Sequence, residues 1–264
     1  MMMINLDDIL LLDFAYLATF TNRIDTSWGT LFYNESQSSY YDANHAHIRD
    51  SAQDPDEVID EVVRFYQARN LTPRFYIHNL ELQQELISKL KSHSFQYEEL
   101  ITPVQLWNNR VIEMEENNRT TIEKVTEENY IEALNIECSI TEFGGKDAVE
   151  KVFEKQFNHP AFTHYLLRYD GVPCSTACIF EHETQARVES VATLEGYRGK
   201  GLVGEIIQFI QTEATKRGIN KLWIFPINES VEKVYHKYGF QTVGKLEMGH
   251  AFLGGKSIKE IQGS

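Results

Sequence analysis

The chain has 264 residues, 42% of them hydrophobic, enough for one large domain or two small ones with genuine cores. Its 39 acidic residues outnumber 25 basic ones, for a formal net charge of -14. That balance repels a phosphate backbone, which argues against nucleic acid as a partner and suits a cationic substrate such as an amine.

The opening run "MMMINLDDILLLDFAYLATF" lacks a basic start, and Asp7, Asp8 and Asp13 interrupt it, so it does not read as a secretory leader. Ile9, Leu12, Tyr16 and Phe20 recur near helical spacing and predict an amphipathic helix. No apolar stretch is long enough to span a membrane. "WGTLFYNE" and "SYYDANHAHI" read as strands, and "DPDEVIDEVVRFYQARN" as a helix capped by Asp54 or a neighbour. "PRFYIH", "LELQQELISKLKSH" and "FQYEELITPVQLW" continue as strand, helix and strand. The polar segment at 108–120 divides the chain, with a boundary expected near residue 112.

Beyond it, "TIEKV" is a short strand, and Thr126 is placed to cap the helix "EENYIEALNIECS". "DAVEKVFEKQF" is a second helix. "THYLLRYDGVPCSTACIF" is a hairpin turning at Asp170-Gly171. "ARVESVAT" is the next strand, followed by the glycine loop and an amphipathic helix carrying Leu202, Ile206, Phe209 and Ile210, with Gly218 as its stop. "KLWIFP", "ESVEKVYHKY" and "FQTVGKLEMGHAFL" close the chain as strand, helix and strand or hairpin. The order is a mixed α/β fold with an antiparallel start and a parallel crossover. Cys138, Cys174 and Cys178 show no metal spacing; Cys174 and Cys178 are expected to face the same way on one strand as core filler, in a reducing, cytoplasmic protein.

The segment "GKGLVG", from Gly199 to Gly204, spells the glycine pattern of a dinucleotide fold. That reading requires the first strand of a βαβ unit and a carboxylate about 20 residues on, at the end of the next strand. Here antiparallel-type strands precede the loop, and "KLWIFP" carries no carboxylate. Arg198 and Lys200 among the glycines of an acidic chain point instead to another polyanion cradled at a helix N-terminus.

"VATLEGYRGKGLVG" resembles the coenzyme A loop of the GNAT superfamily of N-acetyltransferases, whose motif is Q/R-x-x-G-x-G/A. Arg198 to Leu202 follow it; Val203 stands at the last position, with Gly204 next, and Glu195 stands where many members have proline. "NESVEKVYHKYGF" is similar to a second family segment, matched by Asn228, Ser230, Tyr235, Gly239 and Phe240. The two motifs in this order imply a GNAT fold over 113–264. They imply acetyl transfer from acetyl-CoA, without a metal, to a primary amine of a small molecule or peptide. Gly199, Lys200, Gly201, Leu202, Val203 and Gly204 would supply N–H groups to the pyrophosphate, and Val191, Ala192 and Thr193 would bind the pantetheine arm and polarise the thioester carbonyl.

An aliphatic amine, with a pKa of about 10, must lose a proton before attack. Glu189 is the candidate base, expected to share a face with Val191 and Thr193 unless a bulge intervenes; the alternative is a strand carboxylate that is solvated or paired with Arg187. Tyr235 matches the family tyrosine that protonates the leaving thiolate, and otherwise packs on the sheet. Arg198 binds phosphate or caps the helix; Asn228 touches the cofactor or fixes its turn. The same loop also suits transfer of another acyl group, or a non-catalytic CoA-binding sensor.

"FYIHNLELQQELISKLKSHSFQYEEL" echoes "WIFPINESVEKVYHKYGFQTVGKL" in element order, as a degenerate repeat or as an accidental likeness of two α/β units. On the repeat reading, residues 1–112 are a smaller GNAT-like domain without catalytic features. There "RDSAQDPDE", with four acidic residues and no glycine, replaces the loop, Leu90 replaces Tyr235, and Ser94 replaces Gly239. Such a half would shape the acceptor site or a homodimer. His45 and His47 lie on one strand face at ligand spacing but lack a third ligand, so ordinary strand histidines are expected.

Overall fold

The computed structural model describes residues 6–38, 40–50, 54–112, 117–140, 143 and 145–262. The middle of "RDSAQDPDE" and part of the segment around the expected boundary lie outside these residues. The fold is mixed α/β, and its chain separates into two compact units, Met1–Ala15 with Thr102–Lys245 and Tyr16–Ile101 with Leu246–Ser264. The division falls inside a strand, at Ile101–Thr102, rather than at residue 112, and the chain termini cross over.

The first unit contains α1 (Leu6–Leu17) up to Ala15. Its sheet takes strands from β5 (Gln96–Trp107), β6 (Thr120–Lys124), β7 (Phe162–Tyr169), β8 (Val172–His182), β9 (Gln185–Thr193), β10 (Lys221–Ile224) and β11 (Phe240–Phe252), in the order β11-β5-β10-β9-β8-β7-β6. β6 through β9 form an antiparallel meander, and β9 and β10 run parallel. Asp170 and Gly171 both take positive φ, 50° and 78°, as a two-residue turn matching the strand twist demands. α4 (Tyr130–Cys138) and α5 (Lys146–Phe157) pack on one face with Val125, Leu166 and Ala192. α6 (Leu202–Lys216) and α7 (Glu229–Lys237) pack on a cluster that holds Ala177, Ile179, Val188, Ile206, Ile210 and Tyr235.

α6 ends as its sequence requires. Gly218 adopts φ 72°, its N–H reaches the Thr215 carbonyl (3.1 Å), and Ile219 N–H reaches that of Ala214 (3.0 Å), the paired bonds of a Schellman stop. Two local expectations are corrected. α4 begins at Tyr130, and Thr126 does not cap it: the Asn129 side chain instead accepts the Thr126 N–H at 2.7 Å, folding a turn ahead of the helix. Cys174 and Cys178 do not face the same way. Cys174 joins Ala177 and Ile179 in the cluster under α6, whereas Cys178 lies between those two in sequence and points to the opposite face. The irregular register opposite Leu167 and Arg168 shifts the strand's phase between the two cysteines.

The second unit orders β1 (Asn22–Asp25), β2 (Thr30–Tyr33), β3 (His45–Ile48) and β4 (Arg74–Ile77) beside parts of β11 and β5. α2 (Pro55–Gln67) connects β3 to the parallel β4, and α3 (Gln84–Ser92) leads into β5. Asp54 caps α2 by accepting the Glu57 N–H at 3.1 Å. Both helices pack on Phe75, Ile77 and Ala46. The order β3-α2-β4-α3-β5 is the same as β9-α6-β10-α7-β11, each with one parallel crossover. α8 (Ile258–Gln262) follows β11.

Candidate active site

The site is built where β9 and β10 stop pairing. Their parallel register runs from Gln185↔Lys221 to Val188↔Ile224 and ends there. β9 continues through Glu189, Ser190, Val191, Ala192 and Thr193, paired among the described residues only on its β8 side, where Thr176 faces Ala192 and Ser175 faces Thr193. The Ser175 hydroxyl donates to the Ala192 carbonyl (2.6 Å) and shares a 2.8 Å bond with the Thr193 hydroxyl, while Leu194 N–H bonds the Cys174 carbonyl. This stretch therefore has one satisfied edge and one edge open to a ligand.

A bulge at Ser190, φ 51°, changes which side chains share a face. Glu189 pairs across to Cys178 and Ala192 to Thr176, placing Glu189 with Ala192 on the α4 face, while Val191 packs on the α6 cluster with Val188. Strict alternation had put Glu189, Val191 and Thr193 together; the extra residue breaks it. Glu189 forms an ion pair with Arg187, which also holds Asp13 of α1 at 2.9 Å. Burial raises the proton affinity of Glu189 and Asp13 adds to the rise, while Arg187 opposes it. On the same face, Ser190 contacts the buried Glu137, whose carboxyl burial also pushes above its usual range and which lies 3.8 Å from the equally buried His164. Neither Asp13 nor the bulge carries a sequence signal.

The strand leads into the glycine loop. Gly199 (φ 77°) and Gly201 (φ 81°) take left-handed conformations, and a Cβ on either would meet open space. Among the described residues, nothing accepts the backbone N–H groups of Gly199, Lys200, Gly201, Leu202 or Val203. Five consecutive donors at the start of a 15-residue helix make an arrangement suited to an anion. Val203 fits because its side chain rests against the α6 cluster. Gly204 plays another part: its N–H bonds the Gly201 carbonyl (2.9 Å), and a Cβ there would lie 2.2 Å from the Tyr238 ring, so this glycine admits Tyr238. The carboxylate of Glu205 is occupied by Asn117 (2.8 Å) and Thr120.

Arg198 donates from Nε to the Thr193 carbonyl (3.2 Å), tying the loop to the end of β9, while the Lys200 ammonium stands 5.5 Å from the Tyr169 ring centroid. Asn228 caps α7, accepting the Val231 N–H at 2.9 Å. Tyr235, 7% exposed, sits in the α6–α7 cluster; its hydroxyl has no hydrogen-bond partner among the described residues. Burial, aided by the negative charge of Glu189, raises its pKa. In the second unit, His45 and His47 are buried, their rings 6.2 Å apart, and burial keeps both neutral. Among the described residues no group of three or more His, Cys, Asp or Glu is placed to hold a metal ion, and no helix is long and apolar enough to cross a membrane.

Residues 129–240 match the model of the Acetyltransferase (GNAT) family. A GCN5-related N-acetyltransferase from Kribbella flavida is similar in structure at 17% identity and TM-score 0.70, covering 94% of this chain and 95% of that one. A functionally unknown conserved protein from Staphylococcus epidermidis ATCC 12228 is similar at 14% identity and TM-score 0.68, covering 90% and 96%. A GCN5-related N-acetyltransferase-like protein from Streptococcus suis 89/1591 is similar at 12% identity and TM-score 0.56, covering 91% and 92%. At these identities the likeness is one of fold. No match was found among curated proteins.

Proposed function

We propose that this chain transfers an acetyl group from acetyl-CoA to a primary amine of a small molecule or peptide by direct attack, a reading supported by the match of residues 129–240 to the Acetyltransferase (GNAT) family model. The observation that carries the proposal is the continuity of two open backbone edges. One is β9 beyond Val188, the other the five free N–H groups of residues 199–203. Together they match an extended pantetheine arm joined to a pyrophosphate. The open space around Gly199 and Gly201 fits such a group, and the exposed cations Arg198 and Lys200 add charge in an otherwise acidic chain.

Acetyl-CoA supplies the activated acyl group as a thioester. Along β9, an N–H near Val191, Ala192 or Thr193 polarises the carbonyl, and the bulge at Ser190 sets the direction of that donor. Glu189 takes the proton from the amine. Its burial favours proton uptake, while Arg187 fixes the carboxylate on the α4 face and limits that gain. Tyr235 returns a proton to the leaving thiolate; its hydroxyl is protonated at neutral pH, and burial, which raises its pKa, works against that donation. Asn228 holds the α7 start and thereby Tyr235, and Gly204 seats Tyr238 beneath the loop. The second unit is read as a GNAT-like half whose sequence lacks a glycine loop, acting on acceptor choice or on assembly as a homodimer in a cytoplasmic protein.

The test is an amine-library assay with acetyl-CoA, following free thiol, beside a direct measurement of CoA binding. Thiol release with at least one amine is expected. CoA binding without release from any amine would replace this reading with a non-catalytic CoA-binding module, and a faster reaction with a longer thioester would reassign the acyl group.

A further inference from the structure

The second unit contains a cavity of about 280 Å³, near the lower end for small-molecule sites, lined by Tyr40, Tyr41, Asn44, Arg74, Gly255 and Lys256 among others. Both charged residues in its wall are cationic, in a chain of net charge -14. Arg74 is only 7% exposed. Among the described residues no carboxylate lies within ion-pair reach of it, and burial works against its charge.

The guanidinium's bonds show which side is open. Nη1 donates to His250 Nε2 (3.0 Å) and to the Lys256 carbonyl (3.2 Å), and Nη2 donates to the same carbonyl (3.2 Å). His250 therefore carries its hydrogen on Nδ1, which donates to Glu98 at 2.7 Å. Glu98 also accepts the Ile258 N–H at 2.7 Å, and Asp42 accepts the Tyr76 hydroxyl at 2.8 Å, so both nearby carboxylates are engaged elsewhere. What remains on Arg74 is the edge formed by Nε–H and the second Nη2 hydrogen, two parallel donors at carboxylate spacing. Gly255 keeps this edge clear: with φ 79°, it lacks the Cβ that would stand 3.3 Å from Nη2.

We propose that this cavity binds a small organic carboxylate, held by the Nε–Nη2 edge of Arg74, with Lys256 as a second cation and the Tyr40 and Tyr41 rings against its carbon skeleton. The site lies wholly within the second unit and is too small for a coenzyme A. It gives the half of the chain without a glycine loop a ligand of its own, and it stands whether or not the first unit transfers acetyl groups.

The test uses the full chain with sodium benzoate and sodium glutarate as probes, and sodium chloride at matched ionic strength as control, read by titration calorimetry and thermal unfolding. Saturable binding to wild type and a concentration-dependent rise in Tm are expected with at least one probe. Arg74→Lys keeps a charge but loses the paired edge, and is expected to weaken binding about tenfold or more. Lys256→Gln changes an exposed side chain, leaves the fold intact and is expected to weaken binding about threefold. No saturation by either probe up to about 10 mM would overturn the proposal, as would binding unchanged in both variants.

Discussion

His45 makes the second unit sensitive to acid in a calculable way. It is fully buried on β3, its ring stacked on Tyr76 at 3.8 Å between centroids and 5.3 Å from Phe32. Burial lowers its pKa from 6.5 to about 3, and the charges of His250, His78 and Arg74 push the same way. Between those pH values the unfolded chain binds a proton that the native ring refuses. Native stability from this group is therefore complete above pH 6.5 and falls as the pH drops below it. At pH 5 the loss is about 2 kcal/mol, from roughly 1.36 kcal/mol for each unit below the unfolded pKa. His45→Phe keeps a ring in the stack and removes the titration. Urea unfolding of wild type and variant at pH 7.5 and pH 5 isolates the term, because His47 and His250, also depressed by burial, remain in both proteins. Wild type is expected to lose about 2 kcal/mol more than the variant over this interval. Equal losses would mean that His45 is charged, or solvated, in the native protein.

Other perturbations separate the parts of the candidate site. Gly204→Ala brings a Cβ within 2.2 Å of the Tyr238 ring and is expected to destabilise the chain by about 1–3 kcal/mol, with recovery when Tyr238→Ala is added; a thermal melt unchanged by Gly204→Ala would contradict the packing role. Gly201→Asp places a carboxylate and a strained backbone in the cradle and should abolish CoA binding by calorimetry, so retained affinity removes the loop from the phosphate role. Tyr235→Phe should lower turnover by about 10²-fold with CoA affinity nearly unchanged, and unaltered turnover would free Tyr235 from acid duty. Glu189→Gln should remove the acidic limb of the pH–rate profile; a profile of unchanged shape assigns the base elsewhere.

The parts of this fold that were legible in the sequence are those in which a residue type answers a local geometric demand. Asp170-Gly171 and Gly218 take the positive φ their letters suggest, and Gly199 and Gly201 take left-handed backbone with open space around them. Asn228 resolved toward its local role as a cap because its side chain reaches Val231 N–H within the same turn. The bulge at Ser190 was not legible, since serine carries no mark for a left-handed backbone, and one inserted residue was enough to send Glu189 to the other face. The same phase error affected Cys174 and Cys178. Nor could local pattern show where strands finish: β5 and β11 each read as one continuous strand, yet each contributes residues to both units. The open edge of Arg74 depends on His250 and Lys256, far away in sequence, and no spacing rule connects them.

The docking of α1 has a consequence for synthesis. Asp8 pairs with Lys221 at 2.7 Å and Asp13 with Arg187, so α1 has its ion-pair partners about two hundred residues downstream. At about 5–20 residues per second, α1 waits roughly 10–40 seconds before β10 exists to receive it. During that time Ile9, Leu10 and Leu12, all buried in the finished protein, have no native surface to cover them. Asp7, Asp8 and Asp13 keep the waiting helix charged and apart from its neighbours on a polysome.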